Sequence, residues 1–219
     1  MRYGAHPEQV VDVAGDGPVV AIVHGGCWRA RYTRSISVPV AADLATRGYR
    51  VANVEYRRLD AGGTWPEPLE DVIAALAAVG AQLVVGHSAG GHLALLAAAE
   101  TDLPAVAQAP VADLALAVEL GACVGAAERL LAAGAASPTD RPATVPHLVL
   151  HGDADADVPV AIGRAYAARA PACTYLELPG VGHMEHLDPA DAAWAEACAW
   201  ISARLPSGTG SRTAGSPRS

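Results

Sequence analysis

The chain has 219 residues, of which 52% are hydrophobic, and a formal charge of −8 at pH 7. These numbers suit one domain with a large core and argue against wholesale disorder. They also argue against nucleic acid or an anionic membrane as partner, since both need clustered Arg and Lys and this acidic chain contains no Lys.

In chain order, strands are expected over Gln9–Val13 and Val19–Val23, a helix over Ser37–Arg47, a strand over Arg50–Glu55 and a helix over Pro68–Val79. In that helix Leu69, Val72, Ile73, Leu76 and Val79 recur at helical spacing. Four further pairs follow: Leu83–Gly86 with Ala89–Glu100, Ala105–Gln108 with Leu114–Ala133, His147–His151 with Val160–Ala170, and Thr174–Leu178 with Pro189–Leu205. Several of the strands are rich in Val and Ile and apolar on both faces, as strands of a buried parallel sheet are. Regular alternation of strand and helix predicts a three-layer α/β/α sandwich around a mostly parallel sheet, with functional residues at the carboxyl ends of the strands. One domain is expected over residues 1–205. Residues 206–219 read as a disordered tail, because they hold too little apolar surface to anchor them.

Cys27, Cys123, Cys173 and Cys198 are scattered without a C-x-x-C pair, so neither a zinc ribbon nor a redox pair is suggested. A core-rich chain of this size is not expected to need disulfides. There is no charged start followed by an apolar stretch, and the longest apolar run, Ala89–Ala99, is too short to span a bilayer. A cytoplasmic protein without membrane contact is the expectation, with a homodimer left open.

The strand ends carry the chemistry. "VVGHSAGG" places Ser88 in a G-x-S-x-G pattern between strand and helix, the setting of a nucleophile elbow. Gly86 and Gly90 would relieve the crowding of that turn. The plainer reading of Ser88 is a helix N-cap. A nucleophilic serine needs a histidine base and a carboxylate to orient it, in the chain order Ser, Asp, His. "HGDADADVP" offers Asp153, Asp155 and Asp157, "GHMEHLDP" offers His183 and His186, and Asp113 is a lesser acid. An oxyanion hole is expected from the amide of Ala89 and from "HGGCW", through Gly26 or Cys27.

Together, HGG-x-W, GHSAGG, HG-x-x-D-x-x-VP and G-x-GH resemble the α/β-hydrolase superfamily. The likeness is greatest to small esterases related to kynurenine formamidase (arylformamidase) and to hormone-sensitive-lipase-like carboxylesterases, and it runs from about Tyr3 to Leu205. The resemblance implies Ser88 as nucleophile, Asp155 as the acid and His183 as the base, with Gly26, Cys27 and Ala89 holding the oxyanion. It implies no cofactor and a small-molecule ester or activated amide, N-formyl aryl amides included. The brief segment Asp113–Pro146, where relatives carry a larger cap, implies a minimal cap and an open site.

The "DADAD" stretch is not read as a metal loop, because Val158 and Arg164 stand where a calcium loop needs Gly and Glu. His24, His87, His92 and His151 flank the motifs and read as structural. Trp28, Trp65 and Tyr56 are expected to wall the substrate pocket, with Tyr56 and Arg57 exposed. An acyltransferase or cyclase with the same residues, and a non-catalytic binding module on the same fold, are the alternatives.

Overall fold

The structure, a computed structural model, describes residues 1–207. Among them seven strands form one sheet: β1 (Val11–Ala14), β2 (Val19–Val23), β3 (Arg50–Val54), β4 (Leu83–His87), β5 (Ala105–Gln108), β6 (His147–Gly152) and β7 (Cys173–Leu178). Their order is β1-β3-β2-β4-β5-β6-β7. All neighbours are parallel except β1, which pairs antiparallel with β3. The helices are α1 (Val38–Thr46), α2 (Glu67–Val79), α3 (Ala89–Thr101), α4 (Leu114–Glu119), α5 (Ala126–Ala132), α6 (Ala161–Ala167) and α7 (Ala192–Arg204). The tail expected from residue 206 lies, beyond Ser207, outside the described residues.

The pleat sorts the strand side chains into two cores. Val20, Ile22, Val51, Val85, Leu148 and Leu150 face α1 and α7, where Leu44 and Trp194 meet them. Ala21, Val23, Ala52, Val84, Ala107 and Val149 face the other layer, built by α2, α3, α5 and α6. The second face is rich in alanine, which lets α3 lie close to the sheet. Every residue of α3 from Ala89 to Ala98 is buried. That is why its sequence shows no apolar stripe: a helix enclosed on all sides has no polar face to display.

The helix expected over Leu114–Ala133 is two helices. The turn between them holds Gly121, Cys123 and Gly125 at φ of 75°, 51° and 78°, a left-handed backbone that no helix continues through. This turn also corrects the reading of the cysteines. Cys123 is joined to Cys27 by a disulfide across 96 positions of sequence, while Cys173 and Cys198 are free. Folding brings the two Cα atoms to 5.3 Å, within the range a disulfide spans. On the chain-entropy account, closing a loop of this length stabilises the fold by about 4.7 kcal/mol.

A tight constraint on the fold is at Gly90, where an added Cβ would lie 2.1 Å from the Val23 carbonyl oxygen and 2.4 Å from that of His24. Both partners are backbone, so neither can yield without moving β2 from α3. Gly90→Ala is expected to destabilise by at least about 1–3 kcal/mol, the cost of overpacking, read as a lowered denaturant midpoint. An unchanged midpoint would refute the close approach.

Candidate active site

Chain leaving β2 passes to α1 on one face of the sheet, and chain leaving β4 passes to α3 on the other. Because β2 and β4 are neighbours, a crevice opens between their carboxyl ends, the usual place for a ligand in such sheets. Ser88 stands there. Its backbone is strained, at φ 56° and ψ −119°, and its side chain makes no capping bond to α3. The strain is held by the Ser88 amide, which donates to the Gln108 carbonyl at 2.8 Å, and by its carbonyl, which accepts from the amides of His92 and Val111. Gly86 permits this turn: a Cβ there would meet the Gly90 carbonyl oxygen at 2.2 Å.

Two other strand ends deliver the acid and the histidine. Asp155 Oδ2 accepts from His183 Nδ1 at 2.7 Å. Its Oδ1 accepts from the amides of Asp157 and Val158 at 2.9 and 2.8 Å. Burial alone would raise the Asp155 carboxyl, but His151 and His183 beside it outweigh that and hold it well below the usual carboxylate range. It therefore stays ionised and fixes the proton of His183 on Nδ1, leaving Nε2 to face the cavity. The two loops are locked together. Ala154 donates its amide to the Val181 carbonyl and Gly180 to Asp153 Oδ1, and a Cβ on Gly152 would strike the Val181 oxygen at 1.9 Å. The neighbouring candidates have other tasks. Asp113 caps α4, Asp153 holds the Gly180 turn, and His186 is buried with both ring nitrogens unpaired. Asp155, Asp157 and His183 offer atoms within 4.8 Å of one another that could ligate a metal.

Ser88 and His183 line one cavity of about 310 Å³, together with Gly26, Cys27, Arg31, Tyr32, Ile36, Cys123, Asp157 and Met184. Their side chains are not hydrogen-bonded to each other; in unliganded sites such bonds are often long. The amides of Gly26, Cys27 and Ala89 make no hydrogen bond within the described chain, so all three can receive a ligand oxygen. The disulfide forms part of the cavity wall.

The expected aromatic walls lie elsewhere. Trp28 is fully buried, edge-on to His92. Tyr56 is fully buried, stacked on His24 with its hydroxyl donating to the His24 carbonyl. Trp65 packs on the core beside His92. Apolar burial drew all three inward. Arg57, also expected at the surface, pairs with buried Asp71 at 2.7 Å. Arg31, Tyr32, Ile36 and Met184 line the cavity instead. They sit in connections, where no periodicity marks which way a side chain faces.

The flanking histidines brace the site. His24 Nε2 bonds Glu55 Oε1 at 2.7 Å, and Arg58 Nη1 lies 2.9 Å from the same oxygen. Burial would raise Glu55, yet the bond to His24, with Arg34 and Arg58, holds it low, so a buried carboxylate anchors the start of the Gly26 loop. His87 Nε2 donates to the His183 carbonyl at 2.9 Å, with the rings 4.6 Å apart.

A family model described as BD-FAE matches residues 11–110, which takes in Gly26, Cys27 and Ser88 but not Asp155 or His183. A probable carboxylic ester hydrolase of Mycobacterium tuberculosis, LipM, is 34% identical over 99 residues, covering 40% of this chain and 23% of that protein. The chain thus spans less than a quarter of that relative's length. Esterase B of Lactobacillus rhamnosis superposes with a TM-score of 0.75 over 93% of this chain and 82% of its own, at 19% identity. The chain folds as an α/β-hydrolase. A hormone-sensitive lipase from a metagenome library shares the α/β-hydrolase fold too, with a TM-score of 0.69 at 23% identity, covering 87% of this chain and 78% of its own. No helix among the described residues is long and apolar enough to cross a membrane.

Three buried histidines make this fold acid-sensitive. Burial lowers His92 to about 4; burial, with His151 and His183 nearby, lowers His186 to about 4; burial, with His183 and His186, takes His87 well below its ordinary value. Unfolded, each ring binds a proton near 6.5; folded, His92 and His186 do so only near 4. Protons therefore favour the unfolded chain. The stability held by these neutral rings is complete above pH 6.5, falls as pH drops toward 4, and is flat below. Denaturant melts across that window should show a loss on the order of 3 kcal/mol for each of His92 and His186. A flat profile would contradict their burial as neutral rings.

Proposed function

We propose that the protein is a serine hydrolase of small carboxylic esters, working through an acyl-enzyme. The observation that carries this is the meeting of four strand ends, those of β2, β4, β6 and β7: strained Ser88, the 2.7 Å His183–Asp155 pair and unengaged amides around one cavity. Ser88 Oγ attacks the ester carbonyl as His183 Nε2 takes its proton. Asp155 stabilises the imidazolium that forms. The oxyanion accepts from the amides of Ala89, at the start of α3, and of Gly26 and Cys27. His183 returns the proton to the leaving alcohol, and water then repeats the sequence to free the acid.

The similarity to a probable carboxylic ester hydrolase supports the ester as substrate. The cavity favours small acyl groups, since about 310 Å³ is at the low end for ligand pockets. Tyr32 supplies its sole non-histidine aromatic ring among the described residues, which weighs against an N-formyl aryl amide. The short α4–α5 segment leaves water free access, which favours hydrolysis over acyl transfer or cyclisation.

Ser88→Ala is expected to cut p-nitrophenyl acetate turnover by at least about 10³-fold and abolish labelling by a fluorophosphonate, with the melting curve preserved. Full activity in that variant would end the assignment, and absent labelling of the wild type would favour the binding-module reading. Asp155→Asn should fold normally yet lose kcat by about 10⁴-fold, because the amide imposes the wrong His183 tautomer.

A further inference from the structure

Three consecutive residues of the loop after β2 have positive φ: Gly26 at 105°, Cys27 at 50° and Trp28 at 53°. Two of them carry side chains, for which this backbone is uphill. Such a conformation persists only where its surroundings over-determine it. Trp28 is held by full burial of its indole, and its carbonyl accepts from the Leu59 amide at 2.9 Å. Cys27 is only partly buried, and its backbone makes no hydrogen bond among the described residues. What fixes it is its sulfur, bonded to Cys123 in the α4–α5 turn. Cys123 is itself left-handed at φ 51° and is pinned in turn, its carbonyl accepting from the amides of Ala126 and Ala127.

We propose that Cys123 is a positioning residue for the oxyanion hole: its disulfide to Cys27 holds the Cys27 amide in donating orientation, and hydrolysis is switched down when that bond is reduced. The proposal rests on the serine-hydrolase reading above. The switching step is a thiol–disulfide exchange. A dithiol reductant gives up two electrons and two protons and becomes a disulfide, while the Cys27–Cys123 bond opens to two thiols. Released from Cys123, Cys27 relaxes toward negative φ and its amide turns from the cavity. The fold survives this. Arg29 Nη2 still donates to the Val124 carbonyl, keeping the α4–α5 turn against the loop, and Trp28 stays in the core. A disulfide at this position persists where thiols are kept oxidised and acts as a sensor where they are not.

The test begins with thiol counting on the unreduced protein in denaturant. Two thiols of the four cysteines should react; four would overturn the proposal. Wild type treated with dithiothreitol should then lose kcat on p-nitrophenyl acetate by about tenfold or more, short of the full loss of an oxyanion donor, with KM little changed. Removing the reductant under oxidising conditions should restore kcat. Cys123→Ser should match the reduced enzyme and be blind to dithiothreitol, whereas Cys173→Ser with Cys198→Ser should remain as sensitive as wild type. A fully reduced wild type with undiminished kcat would overturn the positioning role. Loss by KM alone, or in step with unfolding, would reduce the disulfide to a structural staple. If Ser88→Ala stays active, the hydrolase reading fails, while thiol counting still reports on the disulfide.

Discussion

The structure depends on how closely α3 approaches β2 and β4. Gly90 brings the helix against the carbonyls of Val23 and His24, and Gly86 makes room for Gly90. The chain can then reverse from strand to helix within one residue. That residue, Ser88, absorbs the turn as positive φ. Its strain is the local cost of a global fit, and the side chain so placed lines the cavity. The first amides of α3 come with it, with no earlier turn to bond to and aimed at the same space.

Around that point the molecule gathers polar groups within an apolar body. The buried carboxylates of Glu55, Asp71 and Asp155 are each ionised and each matched. Glu55 meets His24 and Arg58, Asp71 meets Arg57 and Gln9, and Asp155 meets His183 and two amides. Such charges add little net stability, but removing one partner leaves the other stranded. They specify one arrangement of loops, which an alanine-rich core, uniform in shape, does less to enforce. The cross-link from Cys27 to Cys123 adds a covalent specification where charge is lacking.

Much of this was legible in the sequence. Val19–Val23 and Ala105–Gln108 coincide with β2 and β5, because a fully buried strand leaves an uninterrupted apolar run. The candidate site was legible for the opposite reason: Gly, Ser, Asp and His at the ends of apolar runs have no packing rationale there. Aromatic rings misled, since a buried indole and a pocket wall are written alike; Trp28 and Tyr56 went to the core. The break between α4 and α5 was signalled by Gly121 and Gly125, four positions apart within an otherwise helical stretch. The pairing of Cys27 with Cys123 was not signalled, since no spacing rule reaches across 96 residues. Nor were Arg31 and Tyr32, because the facing of a loop residue is decided by tertiary contact.

The bond from His87 to the His183 carbonyl has a bearing on manufacturing tolerance, so to speak. For the proposed proton transfer, Ser88 and His183 must be placed relative to each other to within a fraction of an ångström. Along the chain, errors between them would accumulate over the 96 positions from His87 to His183. Through the imidazole of His87 they are referred to a common datum: one peptide unit from Ser88 and one hydrogen bond from the His183 carbonyl. The loop after β7 is thereby tied directly to the elbow, without reference to the chain between them.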